Sequence, residues 1–320
     1  MAPRKILIDT DPGIDDAMAI FYALESPELC VVGLTTIFGN AHTEVTTRNA
    51  LRLLEIAGRA DIPVARGAEA PLAMPYRGPV AFVHGDDGMG NTFLDPPVTS
   101  TVDGDAASFI VDTVMAAPGE ITLVPIGPLT NIALALQAEP RLAPNLAGIV
   151  LMGGNAFVGG NASPGAEANI INDPEAADIV FAADCPLVMA GLDVTEQTLM
   201  TNADLARYRE IGAPAADHVA AITPYYSSFY RGRLGLDGIH VHDSTCISYL
   251  LAPEHFSWVE HPICVDTGTS VCRGKTLVAY RGVTDREVAW AGRRDVRILT
   301  GVDCRAVVEL ELSRMGAAAR

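Results

Sequence analysis

Short apolar runs alternate along the chain with longer segments whose apolar positions recur at helical spacing. Residues 5–9 and 29–36 read as strands. Between them Ala17, Met18, Ile20, Phe21 and Leu24 share one face of a helix opened by Asp15 or Asp16. A second helix covers 43–58, with Ala50, Leu53, Leu54 and Ala57 on one side and Gly58 at its end. The runs 62–65, 121–126, 149–152 and 187–190 predict further strands, and helices near 105–117, 129–137 and 174–183 separate the later ones. This order predicts the α/β class: a single domain over 1–315, with a mostly parallel central sheet covered by helices on both faces. The last third is less regular. Residues 214–230 and 244–251 read as helices, 263–288 as strands and turns, and 303–315 as a closing helix. Residues 316–320 are expected to fray.

In such sheets ligands bind beyond the carboxyl ends of the strands. Five predicted ends carry acids, amides or tight turns: Asp9 and Asp11; Gly39-Asn40; Gly127-Pro128-Leu129-Thr130-Asn131; Gly153-Gly154-Asn155; and Gly191-Leu192-Asp193. They are expected to converge on one acidic, amide-rich cleft. Such a cleft suits a neutral polyhydroxylated ligand with a cation better than a phosphate. Neither GxGxxG after the first strand nor GxxxxGK[ST] occurs.

Charge strengthens that reading. The 320 residues hold 22 Lys and Arg against 39 Asp and Glu, a net charge of −17. Nucleic acid and anionic membrane surfaces are therefore not expected partners. The start, Met1 to Lys5, lacks the apolar core of a secretion signal, and no run approaches the roughly 20 apolar residues of a membrane helix. Six cysteines form no CxxC pair, and several fall in apolar patterns. They read as buried thiols of a reducing compartment, so a cytoplasmic protein is expected.

The candidate chemistry begins with Asp9, Asp11, Asp15 and Asp16, four carboxylates within eight residues. Gathered acids repel unless a cation or shared protons hold them. The alternative is a solvated turn with an Asp helix cap. A second group, Asn161, Glu167 and Asn169, punctuates a loop of small residues with groups suited to sugar hydroxyls, although Asn161 equally suits turn chemistry. Asp173-Pro174 reads as a helix start. The third is His240-Val241-His242-Asp243, which reads either as a zinc-type HxH pair or as a histidine beside a helix cap. His84 lies in a glycine-rich loop that overhangs the cleft, whereas His42, His218, His255 and His261 read as surface or packing residues.

Together these segments resemble the nucleoside hydrolase family, the inosine–uridine-preferring nucleoside hydrolases and ribosylpyrimidine hydrolases. Asp9-Thr10-Asp11-Pro12-Gly13-Ile14-Asp15-Asp16 looks like that family's DxDPGxDD signature. The match continues through Gly39-Asn40, Thr46-Thr47-Arg48-Asn49-Ala50, the loop His84 to Gly90, Leu123 to Asn131, Leu151-Met152-Gly153-Gly154, Asn161 to Asn169, Asn172 to Ala177, Gly191 to Thr195 and His242-Asp243. The blocks keep family order over roughly the first 250 residues.

The resemblance implies Ca²⁺-dependent hydrolysis of a ribonucleoside's N-glycosidic bond to ribose and free base, by a homodimer or homotetramer. It implies that Asp11, Asp16, the Ile126 carbonyl and Asp243 hold the calcium. Asp11 is then the general base, and His242 the acid that protonates the departing base. Asp15, Asn40 and Asn169 bind the 2′- and 3′-hydroxyls, and Asn161 and Glu167 the 5′-hydroxyl. His84, Tyr226, Tyr230 and His240 are the residues expected around the base. The chain departs from the pattern at Ile126, where many members have Thr, and at Leu234, where the inosine–uridine type has Arg; Asp237 and His240 are candidate stand-ins. Two other readings are a haloacid-dehalogenase-type phosphotransferase, because Asp9-Thr10-Asp11 is a DxD after a first strand, and a nucleoside-binding protein without catalysis. The acidic cleft opposes the first, and the complete carboxylate set with His242 opposes the second.

Overall fold

Ile6, Leu7 and Ile8 are all fully buried, so the first strand is apolar on both faces, as the middle of a covered parallel sheet requires. The computed structural model describes residues 2–280 and 288–316. Its strands are β1 (Arg4–Thr10), β2 (Leu29–Thr36), β3 (Val64–Arg66), β4 (Ile121–Pro125), β5 (Gly148–Met152), β6 (Leu187–Ala190), β7 (Leu199–Thr201), β8 (Gly238–His240), β9 (Phe256–His261), β10 (Ile263–Val265), β11 (Thr276–Val278) and β12 (Val296–Val302). Eight of them form one sheet in the order β3-β2-β1-β4-β5-β6-β12-β9. Every pairing in it is parallel except β12 with the edge strand β9.

Alternation along β1 divides the core. Ile6 and Ile8 join the layer built on the helices Ile14–Leu24, Thr43–Ile56 and Pro214–Leu234, and Leu7 joins the layer built on Ala106–Ala116, Thr130–Ala138 and Pro174–Phe181. The result is a single α/β domain with helices on both faces of the sheet. Strand order reverses between β1 and β4. The carboxyl ends of these two strands therefore diverge into the loops of opposite layers, which opens a crevice.

Several elements differ from expectation. The first helix starts at Ile14 with Gly13 as its cap, so Asp15 and Asp16 lie inside its first turn instead of opening it. The third strand is Val64–Arg66, later than 62–65. The helix from Pro214 runs to Leu234 through an internal Pro224. β9, β12 and the helix Asn202–Ile211 were not expected. β9 has only Phe256 buried and β12 is partly buried over its second half, and Arg297, Glu260 and Ser257 break their apolar patterns. Within 263–288 the strands β10 and β11 pair antiparallel, while 281–287 lie outside the described residues, as do 317–320 of the expected tail. Cys185 and Cys246 are buried, but Cys30 and Cys272 are exposed, which corrects the expectation of generally buried thiols. Among the described residues no helix is long and apolar enough to cross a membrane.

Candidate active site

The turn after β1 brings its acids together below the surface. Asp11, Asp15 and Asp16 are all buried, which excludes a solvated turn. Asp16 is fixed on three sides: Thr10 Oγ1 donates at 2.5 Å, the Gly13 N–H at 3.0 Å and Asn40 Nδ2 at 3.0 Å. Asp11 Oδ2 accepts the Asn40 N–H at 2.6 Å, whereas Asp11 Oδ1 has no partner. Gly39 and Gly127 press against this carboxylate from two sides, and a Cβ at either would overlap it. Asp15 Oδ2 accepts from the Tyr226 hydroxyl at 3.0 Å, and its Oδ1, 4.0 Å from His84 Nδ1, makes no hydrogen bond. Asp243, across the cleft, is the cap residue of the helix Ser244–Leu251, yet its side chain makes no capping hydrogen bond. Its carboxylate faces the other acids instead. Asp9 leaves the group: Thr35 and Asn131 donate to its Oδ1, so it braces β1 against β2 and the helix Thr130–Ala138.

Carboxylate oxygens of Asp15, Asp16 and Asp243 lie within 4.8 Å of one another. This trio takes in Asp15, expected on the ribose, and leaves Asp11, expected on the cation, beside it. Burial pushes Asp15 and Asp16 up to about 6, with Asp15 repelling Asp16. Asp11 and Asp243 are pushed well above the carboxylate range, first by burial and then by the neighbouring acids. Packed acids with free, buried oxygens are a hard-cation donor set, so the residues fit calcium.

A second arm runs from this cluster along the helix Pro214–Leu234. Tyr226 and Tyr230 hydroxyls lie 3.3 Å apart, and Tyr230 contacts His242 Nε2 at 2.8 Å. His242 Nδ1 meets Thr195 Oγ1 at 2.8 Å. Both ring nitrogens are thus engaged, and no lone pair is free for zinc, which removes the HxH metal reading. Burial pushes His242 down to about 3, with His240 and His84 adding to the effect. The ring is therefore neutral at pH 7, a correction to the ordinary imidazole pKa that made it attractive as an acid. His84 stacks on Tyr226 with centroids 5.4 Å apart and accepts the Ile14 N–H at Nδ1. His240 packs edge-on against Tyr230 with Nδ1 unpartnered.

The opposite wall is the loop before the helix Ala168–Asn172. Glu167 caps that helix, accepting from Asn169 and Ile170, and also takes the Gly154 N–H at 2.9 Å. Asn169 Nδ2 donates to the Ile126 carbonyl at 3.0 Å and the Met152 carbonyl at 3.2 Å. Asn161 sits exposed at the loop tip, its Oδ1 accepting the Ala168 N–H. Asp15, Asn40, His84, Ile126, Asn161, Glu167, Asn169, Tyr226, Tyr230, His240, His242 and Asp243 all line one cleft of about 620 Å³.

The sequence profile described as inosine-uridine preferring nucleoside hydrolase matches residues 6–309. The chain belongs to that family. It is a hydrolase of N-glycosyl compounds. Over 315 residues, 98% of this chain and 97% of the relative, it is 43% identical to "Probable uridine nucleosidase 2" of Arabidopsis thaliana. Its fold matches "Plant nucleoside hydrolase - PpNRh1 enzyme" with a TM-score of 0.95 at 38% identity, covering 98% and 99% of the two chains. It matches "Purine-Preferring Ribonucleoside Hydrolase from Gardnerella vaginalis" with a TM-score of 0.91 at 32% identity, covering 99% of each.

For this nucleoside hydrolase the sequence reading missed the residues that support the site. Thr195, beside His242, was quoted only within a motif. Phe82, Arg77 and Glu196 also line the cleft and carried no signal, because isolated aromatic and charged side chains look like ordinary surface. Three of the five expected strand ends turn inward. Asn131 holds Asp9, Asn155 holds its own loop at Val158 and Gly165, and Asp193 holds Ala156 and Phe157.

Proposed function

We propose that the cleft hydrolyses the N-glycosidic bond of purine or pyrimidine ribonucleosides with calcium bound among Asp11, Asp16, Asp243 and the Ile126 carbonyl. The observation that carries the reading is the buried carboxylate group with unpartnered oxygens on Asp11 and Asp15. When bound, calcium supplies charge that makes a water easier to deprotonate beside the ribose. Asp11 is the residue with an oxygen free to take that proton, and its other oxygen is fixed by Asn40. The oxygen of water bonds to the anomeric carbon as the C–N bond breaks, and the electron pair of that bond leaves with the base.

Asp15, Asn40 and Asn169 are assigned to the ribose diol, and Asn161 and Glu167 to the 5′-hydroxyl. Carboxylate and amide oxygens around the ring favour the oxocarbenium-like charge. The departing base gains a proton through His242 and Tyr230. Negative charge growing on the departing base favours the imidazolium, so His242, neutral at rest, takes a proton from solvent, hands it on through Tyr230 and ends neutral again. Tyr226, His84 and His240 complete the surroundings of the base. The relatives carry both uridine and purine labels, and both base classes belong in the test. Release of reducing sugar from inosine, uridine and cytidine tests the reading, and no release from any of them refutes it. A homodimer or homotetramer belongs to the same proposal and is read by light scattering.

A further inference from the structure

The loop from Gly153 to Glu167 forms the wall assigned to the 5′ end of the ribose, and its stem is held from outside by two opposite charges. Asp193 accepts the backbone N–H groups of Ala156 at 2.6 Å and Phe157 at 2.7 Å. Lys275 donates to the carbonyls of Asn155 at 2.7 Å and Val158 at 3.0 Å. The anion thus takes the N–H ends of this short stretch and the cation takes its carbonyl ends. Thr276 Oγ1 adds bonds to both the N–H and the carbonyl of Asn155. Charged partners make the stronger hydrogen bonds, so these grips outweigh the loop's own turns.

The tip is different. Gly160 and Ala162 bond to Pro164 and Ala166 within the loop, and Asn161 accepts the N–H of Ala168, the first residue of the helix that follows it. Its place over the cleft therefore depends on the stem at one side and on the start of that helix at the other. Lys275 itself is fixed, because the hairpin of β10 and β11 is tied to the helix Pro174–Phe181 by Arg273 on Glu175 and by the Val265 N–H on Asp178.

We propose that Lys275 and Asp193 are positioning residues that set the loop tip against the 5′-hydroxymethyl group of the nucleoside, and so determine preference for a free 5′-hydroxyl. The proposal rests on the ribonucleoside reading given above. Neither residue touches substrate; both act through backbone.

The test compares uridine with 5′-deoxyuridine in the full chain, as wild type, Lys275→Met, Lys275→Arg and Asp193→Asn. Wild type is expected to prefer uridine. Lys275→Met is expected to lose about ten- to a hundredfold in kcat/KM on uridine, mostly through KM, and little on 5′-deoxyuridine. Lys275→Arg restores part of the loss, because a donor cation returns. Asp193→Asn, which keeps size but loses charge, repeats the pattern if Lys275→Met does not fold. Equal losses on the two substrates, or no loss on uridine, overturn the proposal. If wild type does not hydrolyse uridine, inosine and 5′-deoxyinosine or cytidine and 5′-deoxycytidine take its place in the comparison, and failure on inosine, uridine and cytidine alike refutes the ribonucleoside reading itself. Equal use of both substrates by wild type refutes the 5′ assignment, and the clamp with it.

Discussion

Asp11 is held at one oxygen and free at the other, and two glycines close the space around it. Gly127→Ala is therefore expected to displace the carboxylate and cut kcat by about 10²-fold, the cost of a misplaced reacting group. Kinetics of the folded variant, checked by circular dichroism, decide it; near-normal kcat would mean that the carboxylate's position is not critical. Asp16→Ala is expected to abolish turnover while leaving the fold intact, because it removes an acid from a group whose members repel. His242→Ala separates the leaving group from the sugar. With inosine the loss should be about 10²–10⁴-fold, and much smaller with p-nitrophenyl riboside, whose leaving group needs no proton. Equal losses would reduce His242 to an orienting residue. The acids and His242 were legible in the sequence, because clustered carboxylates and a lone His-Asp pair have few structural uses. Their surroundings were not. Thr195 and Lys275 reach the site from elements far apart in sequence, and nothing local marks them.

The order of strands and longer helices up to β6 followed from apolar periodicity, because buried parallel strands are continuous apolar runs, whereas the short helices Ala81–His84 and Ala168–Asn172 did not. β12 and β9 escaped because the incompletely buried strands near the sheet's edge mix Arg297, Glu260 and Ser257 into their pattern. The closing helix Cys304–Met315 was expected, but not its buried acid. Glu311 accepts from the Tyr208 hydroxyl at 2.8 Å, joining this helix to Asn202–Ile211. Burial raises its pKa from 4.5 to about 7. The folded state thus binds this proton more tightly than the unfolded chain does. Its contribution to stability is complete below pH 4.5 and is lost as pH rises through about 7. Glu311→Gln keeps an acceptor for Tyr208 without a charge. It should be near neutral at pH 5 and stabilising at pH 8, by on the order of 2–3 kcal/mol. Denaturant melts at the two pH values measure this. A variant equally destabilised at both would show that the carboxyl carries no such cost.

Across the whole molecule, a net charge of −17 and the buried acids gathered at the cleft suit the proposed divalent cation better than a phosphate. The acids come from the turn after β1 and from Asp243, over two hundred residues later, and the strand reversal between β1 and β4 opens the crevice where they meet. Calcium is the claim on which the proposed chemistry depends. The decisive measurement is a calcium titration of chelator-stripped protein, following reducing-sugar release from inosine, uridine and cytidine with metal content determined in parallel. Stripped protein is expected to be inactive, and calcium to restore turnover of at least one nucleoside with saturation near one ion per chain. Full activity in the stripped protein, or stoichiometric zinc as the activating metal, would contradict the calcium claim.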